Sequence, residues 1–295
     1  MSHKIILDTD IGSDVDDALA LLYALKSPEI DLRAVTTVYG PTNLRATIAK
    51  KIIGERNIPV YAGESTPLSG RKIWTTGREG EGLSLGNLPV RRDAVEFLVD
   101  EISSHPGEYD VVAIGPMTNI AKALKLKPDL AGKINHLYLM GGAVSYPYEM
   151  RFPTPYLTEN PEHNIYCDVV SAKEVFASPV RKTIVPLDVT ARTKISRAAF
   201  EHLKSKGERE KTVANLVDVW FDYRTKHFGR TVPFTCMHDP LTLSIVHAPE
   251  LVKTQKHPVS IDDAGLLKLR GHEANLAVDI REAQFKDLFL KTIYS

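Results

Sequence analysis

Residues 4–26 read KIILDTDIGSDVDDALALLYALK, and this stretch decides the fold. Lys4–Leu7 is an apolar run that predicts a strand. Asp16–Lys26 predicts a helix, with Ala18, Leu19, Leu22 and Leu25 on one apolar stripe. Five aspartates, at positions 8, 10, 14, 16 and 17, crowd the ten residues where the strand gives way to the helix. Like charges this close need a counter-ion, protonation, hydrogen bonds or open water.

Outward from this stretch the same alternation continues. Strands are predicted at Leu32–Val38, Ile58–Tyr61, Tyr109–Ile114, Ile134–Met140 and Lys182–Leu187. Helices are predicted at Asn43–Glu55, Asn119–Lys125, Val169–Phe176, Lys211–His227 and Asp239–Val246. Such alternation implies an α/β fold: an open, mostly parallel sheet flanked by helices. His257–Ile280 reads as short antiparallel additions. Gly63–Pro89 and Ala143–Pro161 read as long loops, which in a compact α/β chain are often functional. No linker or internal repeat cuts the chain, so a single domain over residues 1–295 is the simplest reading.

Composition narrows the function classes. The formal net charge is zero and hydrophobic residues make up 43% of the 295. The pI near 7.2 gives no global attraction to nucleic acid or acidic lipid. No stretch reaches the roughly 18 apolar residues of a membrane span, and the start, MSHKII quickly followed by aspartates, does not read as a leader. Cys167 and Cys236 are the only cysteines, which implies no disulfide framework and a cytoplasmic protein.

Helix capping accounts for one or two of the aspartates, because free N–H groups at a helix start favour carboxylates. It does not account for five. A hard cation does: Ca²⁺ takes several oxygen ligands, and the order strand, Asp10, turn at Gly12, Asp16 and Asp17 can wrap carboxylates round one ion. The stretch is not an EF-hand, since counting from Asp8 the sixth and twelfth positions hold Ser13 and Leu19. Farther along, His238 and Asp239 stand together at a predicted helix start, positioned for ligand or proton-transfer duty. Gly115-Pro116-Met117-Thr118-Asn119 and Met140-Gly141-Gly142-Ala143 follow strands, but neither has the spacing of a phosphate cradle.

Taken in order, Asp8-Thr9-Asp10, Asp16-Asp17-Ala18, Thr36-Thr37-Val38-Tyr39-Gly40, Gly115-Pro116-Met117-Thr118-Asn119, Met140-Gly141-Gly142-Ala143, Glu162-His163-Asn164 and His238-Asp239-Pro240 resemble the inosine-uridine-preferring nucleoside hydrolases. That resemblance spans nearly the whole chain. It implies a nucleoside-hydrolase-like fold and a Ca²⁺-dependent N-ribohydrolase that releases free base and ribose. It further implies Ca²⁺ ligands at Asp10, Asp17, the Thr118 carbonyl and Asp239. Asp10 would also activate the attacking water. Asp16, Glu162 and Asn164 would grip ribose, Met140 would lie near the sugar, and His238 would stand on the base side as a candidate acid. Trp74, Trp220, Tyr223 and His227 could approach the base or serve packing alone. The implied partner is a ribonucleoside, with a homodimer or homotetramer as the assembly.

The sequence departs from the family pattern in three places. Two extra residues precede Asp16-Asp17, so Asp14 becomes a further ligand or ribose contact. Pro41 stands where the family has a ribose-contacting Asn, leaving Asn43 as a substitute. The Met140–Glu162 segment is long and lacks the usual Gly-Asn pair, for which Asn160 could supply an amide. Two other readings remain at this level. A haloacid-dehalogenase-like phosphohydrolase also uses an Asp-x-Asp pair, but would leave the His238-Asp239 and Glu162-x-Asn164 elements without a role. A non-catalytic nucleoside-binding protein would keep the grip and lose the chemistry.

Overall fold

The computed structural model describes residues 2–75, 78–86, 88, 90–144 and 161–295. The strands are β1 (His3–Thr9), β2 (Ile30–Thr37), β3 (Val60–Ala62), β4 (Asp110–Ala113), β5 (His136–Met140), β6 (Lys182–Val185), β7 (Lys194–Ile195), β8 (Thr235–Cys236), β9 (Val252–Ile261) and β10 (Leu267–Ile280). The helices are α1 (Asp16–Lys26), α2 (Thr42–Ile53), α3 (Ala94–Ser104), α4 (Thr118–Leu126), α5 (His163–Cys167), α6 (Val169–Ala177), α7 (Leu187–Thr190), α8 (Glu208–Phe228), α9 (His238–Ser244) and α10 (Glu282–Tyr294).

The main sheet runs β3-β2-β1-β4-β5-β6-β10-β9. Every neighbouring pair is parallel except the β9–β10 hairpin. The first six strands follow the order of a doubly wound sheet, which reverses direction between β1 and β4. Ligands bind outside the carboxyl ends of the strands at such a reversal. The open, mostly parallel sheet is therefore present. The predicted short additions at 257–280 are instead one long hairpin of 10 and 14 residues, and β10 joins the main sheet alongside β6.

The strands alternate their side chains between two cores, as buried strands covered on both faces must. Ile5 and Leu7 of β1 pack with α1, α2, α8, α9 and α10. Ile6, between them, faces the layer formed by α3, α4 and α6. Helix α1 is more deeply placed than a one-sided stripe implies, since every residue from Asp16 to Leu25 is buried. Neighbours α2, α8, α9 and α10 surround it. An all-round apolar helix is a buried helix, and here its first turn carries two carboxylates inward.

Candidate active site

The strand ends and helix starts at the β1/β4 reversal converge on one pocket. It is lined by Asp10 from the end of β1, Asp14, Asp16 and Asp17 at the start of α1, and His238 and Asp239 at the start of α9. Met140 from the end of β5, together with Glu162 and Asn164 around α5, lines it as well. Trp74 from the first long loop and Trp220 and Tyr223 from α8 add an aromatic lining. The β7–β8 ribbon delivers α9 to this place: the Met237 amide donates to the Thr193 hydroxyl at 2.8 Å, and His238-Asp239 follow directly.

Ligand oxygens of Asp16, Asp17 and Asp239 all lie within 4.8 Å of one another, and all three residues are buried. Helix capping does not explain them. The cap residue of α1 is Val15, with no side-chain cap hydrogen bond. Asp17 is fixed instead by the Thr9 hydroxyl, which donates to its carboxylate. Asp16 accepts a 3.3 Å hydrogen bond from the Asp239 amide. Burial raises the pKa values of Asp16, Asp17 and Asp239 well above the usual carboxylate range, and their mutual repulsion adds to the rise. Burial raises Asp10 as well, against the pull of Arg45 and His163. These carboxylates either hold protons or meet a cation. The donor set is all oxygen, buried and drawn from α1, α9 and the end of β1, which fits a hard divalent ion.

Asp8 separates from this group. It points into the sheet, where it accepts hydrogen bonds from Thr36 Oγ1 at 2.5 Å and Asn119 Nδ2 at 2.7 Å. Burial lifts its pKa to about 7, against those two hydrogen bonds. It ties β1 to β2 and to the first turn of α4, and it does not line the pocket.

Arg45 holds the acidic loop and was not singled out from sequence. It is fully buried on α2. Its guanidinium donates to the carbonyls of Asp10, Ile11 (2.9 Å) and Tyr39 (2.7 Å), and to Ser13 Oγ at 3.0 Å. Tyr39 has φ of 65°, and this left-handed turn belongs to the segment whose carbonyl meets Arg45. A sequence signal existed: Arg45 shares a helical face with Ala49 and Ile52, so it was bound to be buried. Gly115 provides a second constraint. A Cβ there would lie 2.9 Å from both the amide nitrogen and Oδ1 of Asp10, so only glycine lets β4 approach that carboxylate.

Glu162 caps α5. Its carboxylate accepts from the amides of Asn164 (2.8 Å), Ile165 (3.2 Å) and Gly142 (3.2 Å). Asn164 donates through Nδ2 to the carbonyls of Ile114 (2.9 Å) and Met140 (3.2 Å), which leaves Oδ1 to face a ligand. His238 engages Thr190 Oγ1 through Nδ1 at 2.7 Å, so Nε2 is the ring nitrogen left for the pocket. Burial lowers its pKa to about 4.

Three predicted residues lie elsewhere, and a fourth is not among the described residues. Asn43 is exposed in the first turn of α2 and belongs to a separate groove beside Glu64 and Arg92, so it does not replace the amide lost at Pro41. Thr118 is buried, with its hydroxyl donating to Asp168 at 2.7 Å, and Ile114 takes the place of the β4–α4 turn in the pocket lining. His227 stacks on Tyr223, with ring centroids 5.8 Å apart, and does not line the pocket. Asn160 lies outside the described residues. Among the described residues, no helix is long and apolar enough to cross a membrane.

Comparison with known proteins agrees with this geometry. The family model described as inosine-uridine preferring nucleoside hydrolase matches residues 5–287. The inosine-uridine preferring nucleoside hydrolase of Crithidia fasciculata is 33% identical over 286 residues, covering 91% of this chain and 86% of that protein. Uridine nucleosidase 1 of Arabidopsis thaliana is 30% identical over 278 residues, covering 90% and 80%. The solved purine-preferring ribonucleoside hydrolase of Gardnerella vaginalis superposes with a TM-score of 0.83 at 26% identity, covering 99% and 98%. A match over nearly the whole chain, centred on a pocket of buried carboxylates at the sheet's reversal point, places this hydrolase in the inosine-uridine preferring nucleoside hydrolase family.

Proposed function

We propose that the protein hydrolyses the N-glycosidic bond of ribonucleosides with Ca²⁺ as cofactor, giving free base and ribose. The observation that carries this is the convergence of Asp10, Asp16, Asp17 and Asp239 with Glu162 and Asn164 in one pocket. Asp10, Asp17 and Asp239 would hold the ion, with Asp16 as a further oxygen donor beside its ribose role. The bound ion would supply Lewis-acid chemistry, lowering the pKa of water in the pocket.

Asp10 is then the base that takes the proton from water as it attacks C1′. Breaking the bond builds positive charge on the ribose ring, as in glycoside hydrolysis generally. The carboxylates of Asp16 and Glu162 offset that charge, and the Asn164 Oδ1 accepts from a ribose hydroxyl. Three amide hydrogen bonds fix the Glu162 carboxylate in advance, so it does not reorganise as charge develops. Met140 packs against the sugar. Asp14, exposed at the pocket edge, reaches the outer end of the ribose. His238 hydrogen-bonds the base through Nε2, while Trp74, Trp220 and Tyr223 offer stacking faces. The names of the relatives make uridine and inosine the first substrates to try. The same reading makes the protein a cytoplasmic homodimer or homotetramer, acting as one domain in nucleoside salvage.

The test is incubation of the purified protein with Ca²⁺ and inosine, adenosine, guanosine, uridine and cytidine, separating base from ribose by chromatography. Base release that disappears in Asp10→Asn supports the reading. Tight nucleoside binding without release from any of the five favours a binding protein instead.

A further inference from the structure

We propose that His163 is a catalytic residue, the one that hands a proton to the departing nucleobase. This rests on the glycosidase reading above and adds a group that the family motif leaves unassigned.

His163 stands between two pocket residues that are each held by several hydrogen bonds. Glu162 is fixed by three amides and Asn164 by two strand-end carbonyls. The backbone of α5 is therefore rigid here, and the intervening His163 side chain is the exposed member of the trio, lining the same pocket. Its ring has two neighbours that set its orientation. Trp74 meets it edge to face, with centroids 5.4 Å apart and planes at 81°. Cys167, one helical turn on, places Sγ 3.5 Å from Nε2 and 3.9 Å from Nδ1. One thiol engages one nitrogen at a time, so the other ring nitrogen is free to serve a ligand.

The placement suits proton donation. Trp74, in contact with His163, belongs to the aromatic lining that a flat base would stack on. The Cys167 sulfur and the Glu162 carboxylate beside the ring favour its charged form. In the step itself the C1′–N bond breaks and its electron pair goes to the base nitrogen. The imidazolium N–H proton moves to the base and leaves neutral His163. Water adds to C1′ and its proton goes to Asp10. Exchange through solvent returns that proton to His163, so the turnover consumes one nucleoside and one water.

His163→Phe keeps an aromatic ring against Trp74 and removes both nitrogens. The measurement compares kcat for inosine and uridine with kcat for 4-nitrophenyl β-D-ribofuranoside, whose leaving group departs as a stable anion without a proton. The expected result is a nucleoside kcat lower by roughly 10²–10⁴-fold, with the nitrophenyl riboside changed by no more than about threefold. Equal losses on both substrates, or no loss on nucleosides, would overturn the assignment and reduce His163 to packing. Thermal melts accompany the assay. Should His163→Phe melt early, His163→Gln must show the same split between substrates, and an even loss in that variant again overturns the proposal. A wild-type protein inert towards both substrates refutes the glycosidase reading and this role with it. An active wild type with an unsplit variant refutes only the role of His163.

Discussion

Replacing Arg45 with Met removes the clamp on the acidic loop while keeping most of the side-chain volume. Three backbone carbonyls, those of Asp10, Ile11 and Tyr39, lose their guanidinium partner in a site with no solvent exposure. A buried acceptor left unpaired costs about 1–3 kcal/mol, so the simple sum is roughly 3–9 kcal/mol. Removing a buried cation also removes its own desolvation penalty, which brings the expectation to about 3–5 kcal/mol. The second consequence is electrostatic, because Arg45 counters the raised pKa of Asp10 and of Asp17. Without it those carboxylates hold protons more tightly, and divalent affinity falls at least about tenfold, or 1.4 kcal/mol. Guanidinium unfolding with and without Ca²⁺ measures stability, and calorimetric titration measures affinity. Arg45→Met within about 1 kcal/mol of wild type and with unchanged Ca²⁺ affinity would refute the clamp.

Other consequences follow from the same contacts. Asp10, Asp16, Asp17 and Asp239 have raised pKa values in the fold, whereas the unfolded chain ionises them near the usual value of about 4. The folded state then binds more protons than the unfolded one above that point, so stability in EDTA falls as pH rises through the window up to the folded values. Saturating Ca²⁺ should flatten or reverse that slope, and melts from pH 4.5 to 8 check it. A metal-free protein that gains stability across this range contradicts the burial of the cluster. Gly115→Ala pushes a methyl to 2.9 Å from Asp10 Oδ1, so kcat should fall by about 10²-fold or more while much of the fold persists. Near-normal turnover in that variant would mean Asp10 tolerates displacement and is not the base.

Much of the architecture was legible because strand and helix periods alternate cleanly from the first residues. Helix α1 was bounded correctly at Asp16 and Lys26, since charged residues bracket an unbroken apolar run. Its complete burial was not legible, because the helices that enclose it include α10, far away in sequence. Helix α3 went unread although Ala94, Val95, Leu98, Val99 and Ile102 keep a helical spacing. The acidic cluster was legible from its crowding after β1, and Glu162, Asn164 and His238 were legible through the resemblance, because their short motifs stand in the family's order. The separate duty of Asp8 was not, because only the pairing of β1 with β2 and the turn into α4 brings Thr36 and Asn119 to it. Arg45 escaped for a similar reason. Its partners are backbone carbonyls, which leave no trace in side-chain identity. Asn43 was expected to stand in for the amide absent at Pro41, but the start of α2 turns it outward.

In the proposed reaction, water attacks C1′ of a ribonucleoside within this pocket. Turnover in ¹⁸O-labelled water, in phosphate-free buffer with Ca²⁺, tests it most directly. The expected result is one ¹⁸O atom on C1 of the released ribose, none in the base, and loss of the labelled product in Asp10→Asn. Release that requires phosphate, or ribose without label at C1 when quenched before exchange, would contradict it.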